Sequence, residues 1–482
     1  SYLLAYAVGP LDRAPIDGLD VPAFVYTPKG RSGEVGFVTR ETPTIVKTLE
    51  DYFGSKYPFR KLDFIAVPEF AFGAMENPGL ITYRTDLLLI GDEASGSIAE
   101  RTLMVIAHEV AHIWYGDLVT MAWWDDLWLN EAFASWMAWT VMENVYPQFE
   151  SNLMLTQENA FPSDQRTSSK AIRKPVRTEE DALADAGLNY TKGNALLRMI
   201  ERYVGKDTWQ RAIRAYIKEH AWGNTTERDL WDAVSDESGL DVHAIASDFL
   251  NQPGFATVII DESGQVTQQR YLTEGREAAD LAWQIPLNVR YKADNKVKLT
   301  FLLLQKDGGT LDIPIDTDWV FPDAGGNGYY RRQTSLEQFY RLVDDIDELT
   351  DREKIAVLGN SEALLNAGKL SLADYMFVIN TLIRETHPLV FLPALEKLIT
   401  IGNEFVDTRT EEAFARFVDS ALTDRFKEVG MERRPDDSEA IIQMRPRLVR
   451  ALGQFGSDEA VRKAAALLTD EYFASAGSVP SG

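Results

Sequence analysis

The segment His108-Glu109-Val110-Ala111-His112 constrains this chain more than any other. It lies within Ile98–Tyr115, where apolar residues recur at helical spacing. Residues four apart on a helix share a face, roughly 40° apart around the axis. Two imidazoles placed this way can share one metal ion. The intervening Glu109 points aside, toward a water rather than the ion. A His pair at this spacing is usually an accident of composition. This chain has only five His in 482 residues, and chance would place His-Glu-x-x-His in on the order of one in a few hundred such chains.

Imidazole and carboxylate ligands suit zinc, and a catalytic zinc keeps three protein ligands and one open position. Magnesium or calcium would want mostly oxygen. The third ligand must come from another element. Glu131, nineteen residues past His112, is the best candidate, because the gap fits a helix end, a loop and the start of an antiparallel helix at Ala132–Val145. Asp117, Asp125 and Asp126 compete on chemistry alone. Asp117 is too close in sequence to turn back. Asp125 and Asp126 lie in a Trp-rich loop, Met121–Trp128, and suit helix capping. His220, His243 and His387 are isolated and read as structural or solvent-facing.

The length allows roughly three domains. A net charge of −25 argues against nucleic acid and anionic membrane surfaces as partners. The absence of cysteine excludes disulfides and thiolate metal sites. No apolar run reaches the roughly 18 residues a membrane span needs, and no leader pattern is visible. A cytoplasmic location is the resulting expectation.

Strands are expected at Leu3–Val8, Pro22–Tyr26, Lys61–Val67 and Leu80–Tyr83. Helices are expected at Thr44–Phe53, Lys192–Tyr203, Asp207–Glu219 and Glu227–Glu237. Past Pro253 the texture changes to short alternating strands at Thr257–Asp261, Ile285–Tyr291, Val297–Leu304 and Leu311–Ile315, a pattern for a small β-sandwich. After Ser335 helical patterns return at Ile355–Leu365, Ala373–Arg384, Phe391–Ile401, Glu411–Phe426 and Glu459–Tyr472, as in a solenoid-like array.

Three motifs together resemble the M1 family of zinc aminopeptidases, a gluzincin family. They are His108–His112 with Glu131 (HExxH-x18-E), Gly73-Ala74-Met75-Glu76-Asn77 (the exopeptidase motif) and Tyr190-x-Lys192-Gly193. Their order and approximate spacing are also similar. Trp123-Trp124, Trp128-Leu129-Asn130 and Gly328-Tyr329-Tyr330-Arg331 add to the likeness. Ile113, Asp117 and Ala132 stand where the family pattern has Gln, Asn and Gly.

The resemblance implies an α+β multidomain fold. Residues 1–37 would be remnant strands of an N-terminal β domain, and 38–252 a thermolysin-like zinc peptidase domain. Residues 253–334 would be the β-sandwich, and 335–482 an incomplete α-helical C-terminal domain. It further implies one Zn2+ per chain, held by His108, His112 and Glu131. Glu109 would be the general base, and Tyr190 would stabilise the oxyanion. Gly73, Ala74, Met75, Glu76 and Asn77 would bind substrate, with Glu76 on the free amino terminus of a peptide. Phe72 would line the pocket for the first side chain. Three neighbouring readings differ in observable ways. An epoxide hydrolase of the leukotriene A4 hydrolase type usually carries Gly-Gly-Met-Glu-Asn, where this chain has Ala74. A zinc endopeptidase would ignore the amino terminus. A non-catalytic scaffold would have lost ligands or the base.

Overall fold

A computed structural model describes residues 4–92, 94, 96–183, 186–459, 461–463 and 466. The chain divides into two compact units between Ser335 and Leu336.

The first unit opens on a five-stranded sheet. Its strands are β1 (Leu11–Pro15), β2 (Ala23–Pro28), β3 (Leu62–Val67), β4 (Ala74–Met75) and β5 (Leu80–Arg84), in the order β1-β2-β3-β5-β4. β3 is buried along nearly its whole length, as a central strand between two parallel neighbours should be. β2 pairs parallel with β3, from Ala23↔Leu62 to Tyr26↔Ile65. The boundary expected at residue 37 therefore runs through one continuous sheet. Leu4–Val8 is not a strand: Leu4, Tyr6 and Val8 are almost fully exposed, with no neighbouring strand to pair with. β1, which follows, instead owes its strand form to pairing with β2.

β4 is an edge strand, held on one side only by Ala74↔Tyr83 and Met75↔Thr82. Three helices of the same unit carry the other motifs. The motif helix is Gly96–Ala111, the ligand helix Leu127–Val145 and the tyrosine helix Ala186–Val204. The ligand helix starts before the expected Ala132. Trp128, Leu129, Trp136 and Met142 are buried on different faces of it. A helix apolar on all sides belongs in the interior, and it packs against both the motif and tyrosine helices.

Past Pro253, two sheets follow, one of three strands and one of four. The second includes Gln265–Arg270, a largely polar strand that pairs antiparallel with Ala256–Ile260. Leu311–Ile315 is not a strand, since Pro314 cannot donate to a ladder.

The second unit is helical across its described residues: Leu336–Asp344, Asp351–Asn366, Leu372–Leu382, Pro388–Glu404, Glu411–Val429 and Glu439–Phe455. Capping boxes start two of them, at Thr350/Glu353 and Ser371/Asp374. The helix expected at Glu459–Tyr472 falls mostly outside the described residues. Among the described residues no helix is long and apolar enough to cross a membrane.

Candidate functional site

The motif helix ends at Ala111, and His112 continues its last turn through a His112 N–H bond to the His108 carbonyl (3.2 Å). The chain then turns sharply at Gly116, whose φ is +129°. A Cβ there would stand 3.4 Å from His112 Nδ1 and 3.3 Å from the His112 carbonyl oxygen. Glycine therefore permits both the backbone conformation and the close approach.

The His108 and His112 Nε2 atoms lie 3.0 Å apart. Glu131 Oε2 is 3.5 Å from the first and 3.4 Å from the second. Tetrahedral zinc ligands at roughly 2.1 Å from the ion would be separated by roughly 3.4 Å. The three residues fit that geometry, and they are the one group among the described residues whose His and acidic ligand atoms converge within 4.8 Å. His112 Nδ1 lies 3.0 Å from the Tyr115 carbonyl. Donation to that oxygen fixes the tautomer and leaves Nε2 free to ligate. Ser135 Oγ, 3.4 Å from His108 Nδ1, is placed to do the same for the other ring.

The electrostatics of the group are strongly perturbed. Burial disfavours a charged His112, but Glu76, Glu131 and Glu109 outweigh it and push its pKa up to about 10. Burial would raise Glu131, yet His112 and hydrogen bonds from both rings pull it down to about 2. The surrounding carboxylates thus favour positive charge at this point, which a divalent ion would also supply in exchange for the proton. Burial, then Glu76, pushes the Glu109 carboxyl well above the ordinary range. Burial likewise raises Glu76, against the opposing effect of His112.

These groups line a cavity of about 1010 Å³. Gly73, Ala74, Met75 and Glu76 form one wall along β4, with Phe72 at its end. Glu76 is buried, and its Oε1 lies 3.5 Å from His112 Nδ1. Asn77 is not among the lining residues. Its carbonyl accepts from Leu80 N–H and its side chain accepts from Thr82 Oγ1, in the turn into β5. Tyr190 lines the opposite side, its ring stacked on His108 at 5.8 Å between centroids.

The competing aspartates have other partners. Asp125 accepts from Val176 N–H (2.6 Å). Asp126 makes no cap; it accepts from Arg173 (2.7 Å), Trp128 Nε1 and Glu227 N–H. Asp117 is buried, and burial followed by Glu76 pushes it up to about 8. His243 faces Glu227, and His387 caps the helix at Pro388.

Sequence reasoning missed Ser135, Trp139 and Arg177 as lining residues. It also missed how Lys192 anchors the tyrosine helix. Its fully buried ammonium lies 3.0 Å from Asp164 Oδ2 and donates to the carbonyls of Gln252 and Gly254. Asp164 accepts in addition from Tyr329 O–H and Ser169 O–H. A buried charge pair holds only when its remaining hydrogen bonds are satisfied.

Comparison with known proteins agrees with this geometry. Residues 37–249 match the Peptidase family M1 domain, and residues 319–481 match the ERAP1-like C-terminal domain. The chain is 32% identical to aminopeptidase 2 of Candida albicans, over 96% of this chain and 51% of that protein. It is 30% identical to aminopeptidase M1-A of Oryza sativa, over 96% of this chain and 55% of that protein. It is 28% identical to aminopeptidase N of Lactococcus lactis, over 91% and 53% respectively. The chain thus spans about half the length of the curated relatives it matches. Motifs, ligand convergence and domain matches agree: this chain carries a peptidase family M1 domain over residues 37–249.

Proposed function

We propose that this chain is a zinc-dependent aminopeptidase that hydrolyses the first peptide bond of peptides with a free amino terminus. The observation that carries the reading is the convergence of His108, His112 and Glu131, with Glu109 and Glu76 beside them. It is supported by relatives that are themselves named aminopeptidases.

Zinc bound there would supply Lewis-acid polarisation of a carbonyl and would lower the pKa of its bound water toward about 7. His108, His112 and Glu131 hold the ion. Glu109 takes the proton from the attacking water and returns it to the leaving amine. Tyr190 donates its hydroxyl hydrogen to the oxyanion that develops on the former carbonyl. Glu76 receives the α-ammonium by a charge-assisted hydrogen bond. The free edge of β4 pairs with the substrate backbone, as in strand addition.

Two measurements test this reading. Glu109→Gln should retain stoichiometric zinc by elemental analysis while turnover of an aminoacyl chromogenic substrate falls roughly 10²–10⁴-fold. Turnover at the parent level would remove Glu109 from the chemistry. The parent protein should also cleave free peptides and spare their N-acetylated forms. Equal cleavage of both would make it an endopeptidase.

A further inference from the structure

The floor and the rim of the cavity differ in charge. Glu76, Glu109 and Glu131 lie on the buried floor, whereas Phe72 and Trp123 at the rim are each 59% exposed. Arg177 is also exposed, and it is the one Lys or Arg among the described residues that line the cavity. A surface arginine ordinarily finds a carboxylate of its own protein. The Arg177 guanidinium has no hydrogen bond or ion pair among the described residues.

The backbone around it is fixed. Val176 N–H donates to Asp125 (2.6 Å), and Trp123 Nε1 donates to the Val176 carbonyl (2.9 Å). The amides of Arg177 and Thr178 both donate to Asp181, at 3.0 Å each. That carboxylate is thereby engaged by main chain. Arg177 is therefore presented at the rim from an anchored segment, with no guanidinium partner among the described residues.

The geometry points to Arg177 as the receptor for a carboxylate on the substrate beyond the scissile bond. This rests on the aminopeptidase reading, which sends the amino end of the peptide to the buried Glu76. The rest of the peptide must then leave past the rim. A short peptide with its ammonium inward and its carboxylate outward matches the polarity of the cavity. The carboxylate has two sources: an acidic side chain in the second or third residue, or the α-carboxylate of a di- or tripeptide. A guanidinium recognises both through the same paired N–H donors.

Binding to the zinc-loaded Glu109→Gln protein, followed by titration calorimetry, separates these sources. The probes are Ala-Ala-Gln-amide, Ala-Ala-Glu-amide and Ala-Ala-Gln with a free carboxyl terminus. At least one acidic probe should bind about three- to ten-fold more tightly than the neutral one, in the range of a partly exposed charge pair. Arg177→Met should bring that ratio to about one, and Arg177→Glu should invert it. Raising salt to about 0.5 M should shrink the ratio, because exposed charges are screened.

Equal affinity for all three probes, a ratio unchanged by Arg177→Met, or no binding of any probe overturns the assignment. The same ratio read as kcat/KM on proteins that retain Glu109 provides a second measurement. If the calorimetric ratio behaves as expected but the parent hydrolyses no peptide, the aminopeptidase reading fails while the Arg177 site stands.

Discussion

Tyr190 shows what a single side chain contributes here. Its ring lies against His108 while 37% of the residue stays open to solvent. Burial, then Glu131, pushes its hydroxyl above the ordinary tyrosine range, so it remains a proton-bearing donor at any working pH. Tyr190→Phe should therefore lower kcat about 10²–10³-fold, the usual cost of one oxyanion donor. Zinc content should not change. A kcat within about two-fold of the parent would take Tyr190 out of the reaction. The convergence of His108 and His112 is legible in the sequence because helical periodicity converts spacing directly into direction. Arg177 is not legible in that way. It sits in an aperiodic segment whose course is set by bonds to Asp125 and Trp123, more than fifty residues earlier.

Among elements, the approach of the ligand and tyrosine helices is the critical dimension. A Cβ added at Gly193 would stand 2.5 Å from the Ala132 Cβ. The two helices also share bonds from Trp136 Nε1 to Glu201 (3.0 Å) and from Arg198 to Glu143 (2.9 Å). In an exposed helix Gly→Ala would stabilise by up to about 1 kcal/mol. At this contact Gly193→Ala should instead destabilise by about 1–3 kcal/mol, the usual cost of overpacking. Adding Ala132→Gly should recover most of that loss. Urea unfolding of both variants checks the expectation, and a Gly193→Ala protein as stable as the parent would refute it. Ala132, where the family pattern has Gly, is thus accommodated by the absence of a side chain at Gly193. Amphipathic helices were readable at this scale. The first turn of the ligand helix was not, because burial on every side erases the periodic signal. The strand Gln265–Arg270 was also missed, because its form comes from pairing rather than from an alternating pattern.

For the whole molecule, the three residues proposed to hold zinc all belong to the unit that ends at Ser335. Calorimetry should resolve two transitions, and a chelator should lower only the one from that unit. Metal at about 1,000 times its Kd stabilises its host by about 4 kcal/mol. A chelator that moves both transitions equally, or neither, contradicts this. The two-unit division was legible as a change of texture near Ser335. The continuity of the first sheet across residue 37 was not, because parallel pairing of β2 with β3 joins segments far apart in sequence. β4, at the rim of that sheet, is only two residues long. A ladder of that length spans ~7 Å, the reach of about two extended residues. Main-chain pairing there ends almost as soon as it begins, so a dipeptide and a decapeptide would offer it the same short stretch. The strand would read only how a peptide starts, and any account of how far it runs would fall to side chains at the rim such as Arg177.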